Sequence, residues 1–227
     1  MTENTAATKK ISEAVIRRLP RYFRYLRELL ERRILRISSA ELARMMHVTA
    51  SQIRQDLNCF GGFGQQGYGY NVENLYGQIC ELLGVNEDFR AVIIGAGNLG
   101  RALVRSPMFG RRGVHPVAMF DISESLIGTD IGGVPVCDMA TIEDFCRAQK
   151  VDIAILTLPK DQAESAMAAL RAAGVRGFWN FTSVELDHIR ESAVVENVHL
   201  GDSLMTLCYR LRESGLEGDR SSKGGEE

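Results

Sequence analysis

The stretch FRAVIIGAGNLGRAL, residues 89–103, constrains the fold of this chain more than any other. An apolar run stops at Gly95-Ala96-Gly97-Asn98-Leu99-Gly100 and resumes with helical character, which places G-x-G-x-x-G in a strand-turn-helix setting. The first glycine permits a tight turn, the second lets the backbone approach a pyrophosphate, and the third lets helix pack closely on strand, with the helix N-terminus facing negative charge. A second strand, Pro116 to Phe120, ends in Asp121, about twenty residues beyond the last glycine, where a carboxylate accepts hydrogen bonds from the adenosine ribose hydroxyls. No arginine follows Asp121 closely to hold a 2′-phosphate, so NAD(H) is favoured over NADP(H).

Further strands at 151–157 (VDIAILT) and 177–181 (GFWNF) flank a helix from about Asp161 to Ala173, the alternation of an α/β doubly wound parallel sheet. The loops Leu158-Pro159 and Thr182-Ser183 leave the carboxyl ends of these strands, where such folds bind ligand. Pro159 reads equally as a strand stop, and Thr182-Ser183 as a helix cap. A last helix over 201–213 has an apolar stripe at Leu204, Leu207 and Leu211, fit to dock on its own domain or on a second subunit, and the tail 214–227 is expected to be disordered.

The region ahead of this sheet has a different character. Residues 1–84 hold 12 Lys+Arg against 8 Asp+Glu and the remainder 15 against 21, so a net charge of -2 divides into +4 followed by -6. A basic front half suits a polyanion. Helical periodicity from Ser12 to Arg33 is interrupted by Pro20, where a helix either begins near Leu19 or kinks. Ser38-Ser39-Ala40-Glu41 is a capping box, and Thr49-Ala50-Ser51-Gln52 repeats its logic. Two short helices follow, at 39–46 and 50–58. Leu42, Met45, Met46, Ile53 and Leu57 form their buried faces, leaving Ser51, Gln52, Arg54, Gln55 and Asn58 outside. This is a helix-turn-helix pattern. Glycines and aromatics over 60–70, around Gln65-Gln66, then predict a hairpin, the wing of a winged-helix domain. In such domains the second helix reads base edges in the major groove: Arg54 suits guanine and Gln55 adenine, while Arg18 and Arg21 offer phosphate contacts.

The expected organisation is a winged-helix domain over 1–84, a Rossmann-type domain over 85–200, and the terminal helix and tail. Cys59, Cys80, Cys137, Cys146 and Cys208 form no CxxC pair, and His47, His115, His188 and His199 show no ligand spacing, so neither a disulfide framework nor a metal site is expected. With no apolar run of membrane-spanning length and no signal-peptide core, a cytoplasmic location fits best. A dehydrogenase needs a substrate domain and a proton-transfer group beside the nicotinamide. The sheet ends too soon to be followed by such a domain, so the chain reads as no enzyme.

Together these features resemble the Rex family of redox-sensing transcriptional repressors. The telling segments are LPRYFRYL (19–26), TASQIRQDL (49–57), FGGFGQQGYGY (60–70), IGAGNLGRAL (94–103), IGGVPV (131–136), AAGVRGFWNF (172–181) and VENVHL (195–200). The resemblance implies a homodimer with paired winged helices on a palindromic operator, a terminal helix exchanged between subunits, and NADH competing with DNA while NAD⁺ permits DNA binding weakly or neutrally. Some positions depart from the family pattern. Gln55, Gln65 and Gln66 stand where basic residues are common, which implies weaker phosphate contacts or an altered operator preference. Ser106 and His199 stand where a tyrosine and an aspartate commonly cooperate with an arginine matching Arg24. The redox switch is then retuned, made pH-sensitive through His199, or lost. The alternative reading is a dimeric NAD(H)-binding paralogue that acts through a protein partner.

Overall fold

The computed structural model describes residues 11–60, 64–65, 69–185 and 192–214, the pair 64–65 by backbone alone. The chain divides into two compact units, 1–87 and 88–227, so the boundary expected after residue 84 lies in the same inter-element turn.

In the first unit, α1 (Glu13–Ile16) is followed by α2 (Leu19–Glu31). Pro20 lies in the first turn of α2, where its missing N–H would have had no helical partner, so α2 begins at Leu19 and no kink is needed. After β1 (Arg36–Ile37) come α3 (Ser39–Met46) and α4 (Ala50–Asn58). Ser38 caps α3 reciprocally with Glu41, each side chain accepting the other's backbone N–H. Thr49 accepts the Gln52 N–H at 3.1 Å, but the Gln52 amide does not fold back, so the second capping box is half formed. His47 ends α3 in the left-handed region (φ 50°), its N–H bonded to Ala43 and Arg44 carbonyls, and so makes the turn between the two helices. The strands β2 (Gly64–Gln65) and β3 (Gly69–Asn71) pair antiparallel as the expected wing, β1 pairs on the far side of β3, and α5 (Val72–Leu82) closes the unit. Tyr22, Leu26, Leu42, Met46, Ile53, Leu57, Leu75 and Ile79 form one core beneath both helices of the helix-turn-helix.

The second unit runs β4 (Phe89–Ile94), α6 (Asn98–Val104), β5 (Val114–Asp121), β6 (Asp130–Ile131), β7 (Val134–Asp138), α7 (Ile142–Gln149), β8 (Ile153–Leu156), α8 (Lys160–Ala172), β9 (Gly177–Asn180), β10 (Val194–Asn197) and α9 (Leu200–Glu213). Its sheet has the order β10-β9-β8-β4-β5-β7-β6, parallel except for the edge pair β6–β7. Alternate residues of β4 serve the two faces: Val92 and Ile94 pack with residues of α7 and α8, Ala91 and Ile93 with Val104, Phe109 and Met119. Burial on both faces explains why β4 reads as a continuous apolar run. The final helix α9 buries none of its residues.

Candidate cofactor crevice and nucleic-acid interface

Connections run from β4 to β5 on one side and reach β8 on the other, so the sheet's order reverses at β4 and a crevice opens at the carboxyl ends of these strands. A cavity of ≈ 600 Å³ lies there, lined by Gly95, Gly97, Asp121, Leu158, Pro159 and Gln162 among others. Gly95 has φ +98°, and a Cβ on it would stand 2.8 Å from the Thr157 carbonyl oxygen; a Cβ on Gly100 would stand 2.1 Å from the carbonyl oxygen of Gly95. The protein's own packing thus demands these two glycines. A Cβ on Gly97 would meet nothing within 4 Å, so the space beside that backbone is open for a ligand's phosphates. The Thr157 hydroxyl lies 2.9 Å from the carbonyl oxygens of both Ile94 and Gly95 and steadies the turn from beneath.

Asp121 accepts from the Ala96 N–H at 2.7 Å on one carboxylate oxygen and from the Ser123 N–H at 2.9 Å on the other. Each oxygen retains acceptor capacity for a ribose hydroxyl. Asn98 and Leu99 open α6, whose first-turn N–H groups lack helical partners. The glycine cradle and the oriented carboxylate therefore fit an adenine dinucleotide. Pro159 lies beyond the end of β8 at Leu156, at the N-cap of α8, and forms part of the crevice wall. Residues 186–191, where a helix capped from here would begin, lie outside the described ones, and Thr182 accepts the Val184 N–H on its hydroxyl at 3.3 Å. Buried, it donates from N–H and hydroxyl to Asn180 Oδ1 at 3.0 and 2.7 Å, while Asn180 Nδ2 donates to the carbonyl of Val184 and to Asn197 Oδ1. This polar knot joins the ends of β9 and β10.

Of the residues expected to couple cofactor to DNA, Arg24 is exposed on α2 in the first unit, its guanidinium 5.3 Å from the Tyr25 ring centroid. Ser106 and His199 belong to the second. The Ser106 hydroxyl accepts from the Met108 N–H at 3.4 Å, and His199 Nε2 stands 3.8 Å from Glu185 Oε1 at the start of α9. His188 and Gln66 lie outside the described residues, as does the side chain of Gln65.

On the first unit, α4 presents Ser51, Arg54, Gln55 and Asn58 to the exterior, with Arg54 Nη1 donating to Ser39 Oγ at 3.3 Å. Three other expected DNA contacts are engaged inside the domain. Arg18 donates from Nε and Nη2 to the two oxygens of Asp56 at 2.7 and 2.8 Å, and Gln52 Nε2 donates to Asp56 Oδ1 at 2.7 Å. Arg21 donates to the carbonyl of Met46 at the end of α3. Tyr22 adds a fourth bond to Asp56, from its hydroxyl at 2.9 Å. Burial alone would raise the Asp56 pKa, yet the hydrogen bonds from Arg18, Gln52 and Tyr22 and the Arg18 charge hold it below the ordinary aspartate range. Burial and the Asp56 charge push the Tyr22 hydroxyl far upward. Sequence reasoning missed Asp56, which looks like one more polar residue of a surface helix.

Comparison with known proteins bears on both units. Residues 10–58 match the family model described as "Putative DNA-binding protein N-terminus", and residues 86–184 match "CoA binding domain". The redox-sensing transcriptional repressor Rex of Thermoanaerobacter pseudethanolicus is 52% identical over 91% of this chain and 92% of its own length. The repressor of the same name from Clostridioides difficile is 49% identical over 90% and 97%. This chain belongs to the Rex family. Solved structures agree: RSP in complex with β-NAD⁺ and operator DNA superposes with a TM-score of 0.85 at 51% identity, covering 90% of this chain and 94% of that one. The β-NADH complex of RSP gives 0.83 at 48%, covering 90% and 95%. These Rex relatives bear the name of transcriptional repressors.

Proposed function

We propose that this chain is a redox-sensing transcriptional repressor that binds palindromic operator DNA as a homodimer and is released when NADH binds. The observation that carries the reading is the joining, in one chain, of a winged helix with an outward α4 face to a glycine cradle that leaves room for phosphates at Gly97. Ser51, Arg54, Gln55 and Asn58 are the base-reading set, with Gln65 and Gln66 at the wing. Gly95 to Gly100 bind the pyrophosphate, Asp121 the adenosine ribose, and Leu158-Pro159 the crevice wall. When bound, the dinucleotide supplies the signal itself, its nicotinamide ring cationic when oxidised and neutral when reduced. The protein performs no reaction on it; its output is a population shift set by the difference in NADH affinity between DNA-competent and DNA-incompetent states. A second subunit covers α9, and the helix is exchanged between the two copies.

Arg24, Ser106 and His199 couple the cofactor to the operator. Ser106 and His199 stand where a tyrosine and a carboxylate are common in the family, so the NADH response is retuned, made pH-sensitive through His199, or lost. The test is selection of bound sequences from random duplex DNA with and without NADH, followed by operator affinity at about pH 6 and about pH 8. Enrichment of a palindrome that NADH abolishes supports the repressor. Failure to enrich any palindrome favours action through a protein partner, and an NADH effect of about tenfold or more at both pH values removes His199 from the switch.

A further inference from the structure

We infer that Arg18 and Asp56, with Tyr22 and Gln52, are positioning residues that set the pose of the DNA-reading helix, and that Arg18 is no phosphate contact. The inference rests on the proposed DNA-binding function and concerns how the same interface is built. Asp56 is fully buried on the inner side of α4, opposite Arg54 and Gln55, and accepts four hydrogen bonds within 2.9 Å. Two come from the residue that caps α2, one from Tyr22 a turn further along α2, and one from Gln52 in the first turn of α4 itself. A bidentate guanidinium-carboxylate pair fixes angle as well as distance, which a single bond or an apolar contact does not. Arg21, by bonding the Met46 carbonyl, ties the same turn of α2 to the end of α3. The start of α2 thus holds both helices of the helix-turn-helix, and α4 cannot tilt without breaking charge-assisted bonds in a water-poor site.

Base reading depends on that rigidity. Paired hydrogen bonds from a side chain to a base edge tolerate only a few tenths of an ångström, so a small rotation of α4 would remove discrimination between sequences while leaving attraction to the phosphates. A phosphate contact behaves in the opposite way: its loss weakens all sequences alike and lowers the salt slope.

The experiment uses the full-length chain and compares its affinity for a duplex it selects from a random pool with its affinity for random-sequence duplex, across a salt series. Arg18→Lys keeps the charge without the fork. The double variant Arg18→Met/Asp56→Leu removes the pair without leaving a buried charge, a replacement often neutral for stability. Tyr22→Phe deletes one hydroxyl. The selected-to-random ratio is expected to fall by about tenfold or more for the first two and about threefold for Tyr22→Phe. The salt slope of the double variant should match wild type, and NADH uptake should be unchanged throughout. A double variant whose slope magnitude drops by about 0.9, the value for one lost phosphate contact, overturns the inference. So does an unaltered ratio in Tyr22→Phe, which holds even if the other variants fail to fold. A wild-type chain that selects no duplex would instead sink the DNA-binding reading on which this one stands.

Discussion

A carboxylate with no exposed surface and four donors around it makes the fold of the first unit sensitive to one atom pair. Asp56→Ala leaves the Arg18 guanidinium half-buried with no acceptor, and the expected loss is about 3–5 kcal/mol, read from the denaturant midpoint of the winged-helix unit. The same residue gives a pH prediction whose sign is fixed. The folded Asp56 carboxyl titrates below its unfolded value, so the unfolded chain binds the proton more tightly. The stability it supplies is complete above the ordinary aspartate value of about 3.9 and is lost as pH falls through the lower folded value. The stability gap between wild type and Asp56→Asn, which cannot titrate there, should therefore narrow as the solution is acidified below about pH 4. A gap of constant size through that window would show that the ion pair is not the source. Nothing in the local sequence marked this residue, because three of the four bonds that define it come from Arg18 and Tyr22, on a different helix.

Elements were legible where the chemistry is local. The turn after β4 announces itself by glycine spacing, α3 by its capping box, and the wing by glycines alternating with aromatics. The strands β6, β7 and β10 and the helix α7 were not read. They are short, β7 carries a proline at position 135, and β7 and β10 are fixed by pairing with β5 and β9, contributed by other segments of the chain. Gly95, Gly97 and Asp121, singled out by the glycine spacing and the strand end, line the crevice, whereas the Thr182 hydroxyl is taken up by Asn180, a contact that no local spacing announces. The three glycines separate packing from binding. In Gly100→Ala the new Cβ would stand 2.1 Å from a backbone oxygen, so helix and strand must part and the Rossmann unit should melt at lower temperature as well as lose NADH. In Gly97→Ala the methyl enters open space; thermal stability should be kept or slightly raised by reduced chain entropy, while NADH fluorescence titration shows binding weakened at least about tenfold. Tight NADH binding by Gly97→Ala would mean that the pyrophosphate does not lie against this turn.

For the molecule as a whole, α9 is the unsolved surface of a single chain. Leu200, Leu204, Met205, Leu207, Tyr209 and Leu211 are each at least half exposed, from 50% at Leu211 to 68% at Met205. A 14-residue helix is marginal in water by itself and draws its stability from burying an apolar face. Under the exchange proposed above, a second copy related by a two-fold axis would cover this stripe, and each copy would do so for the other. The consequence reaches the DNA. Two winged helices held in one dimer bind two half-sites with the second event intramolecular, which raises affinity for a palindrome by about 10²–10⁴ over one half-site. Leu204→Glu/Leu207→Glu places charge on the stripe and alters no residue of α4 or of the glycine cradle. Sedimentation of this variant should give a monomer where wild type gives a dimer, and palindrome affinity should fall to that of an isolated half-site. If the variant still sediments as a dimer, the pairing surface lies elsewhere on the chain; if it is monomeric yet keeps full palindrome affinity, the two reading heads do not act through dimerisation at all.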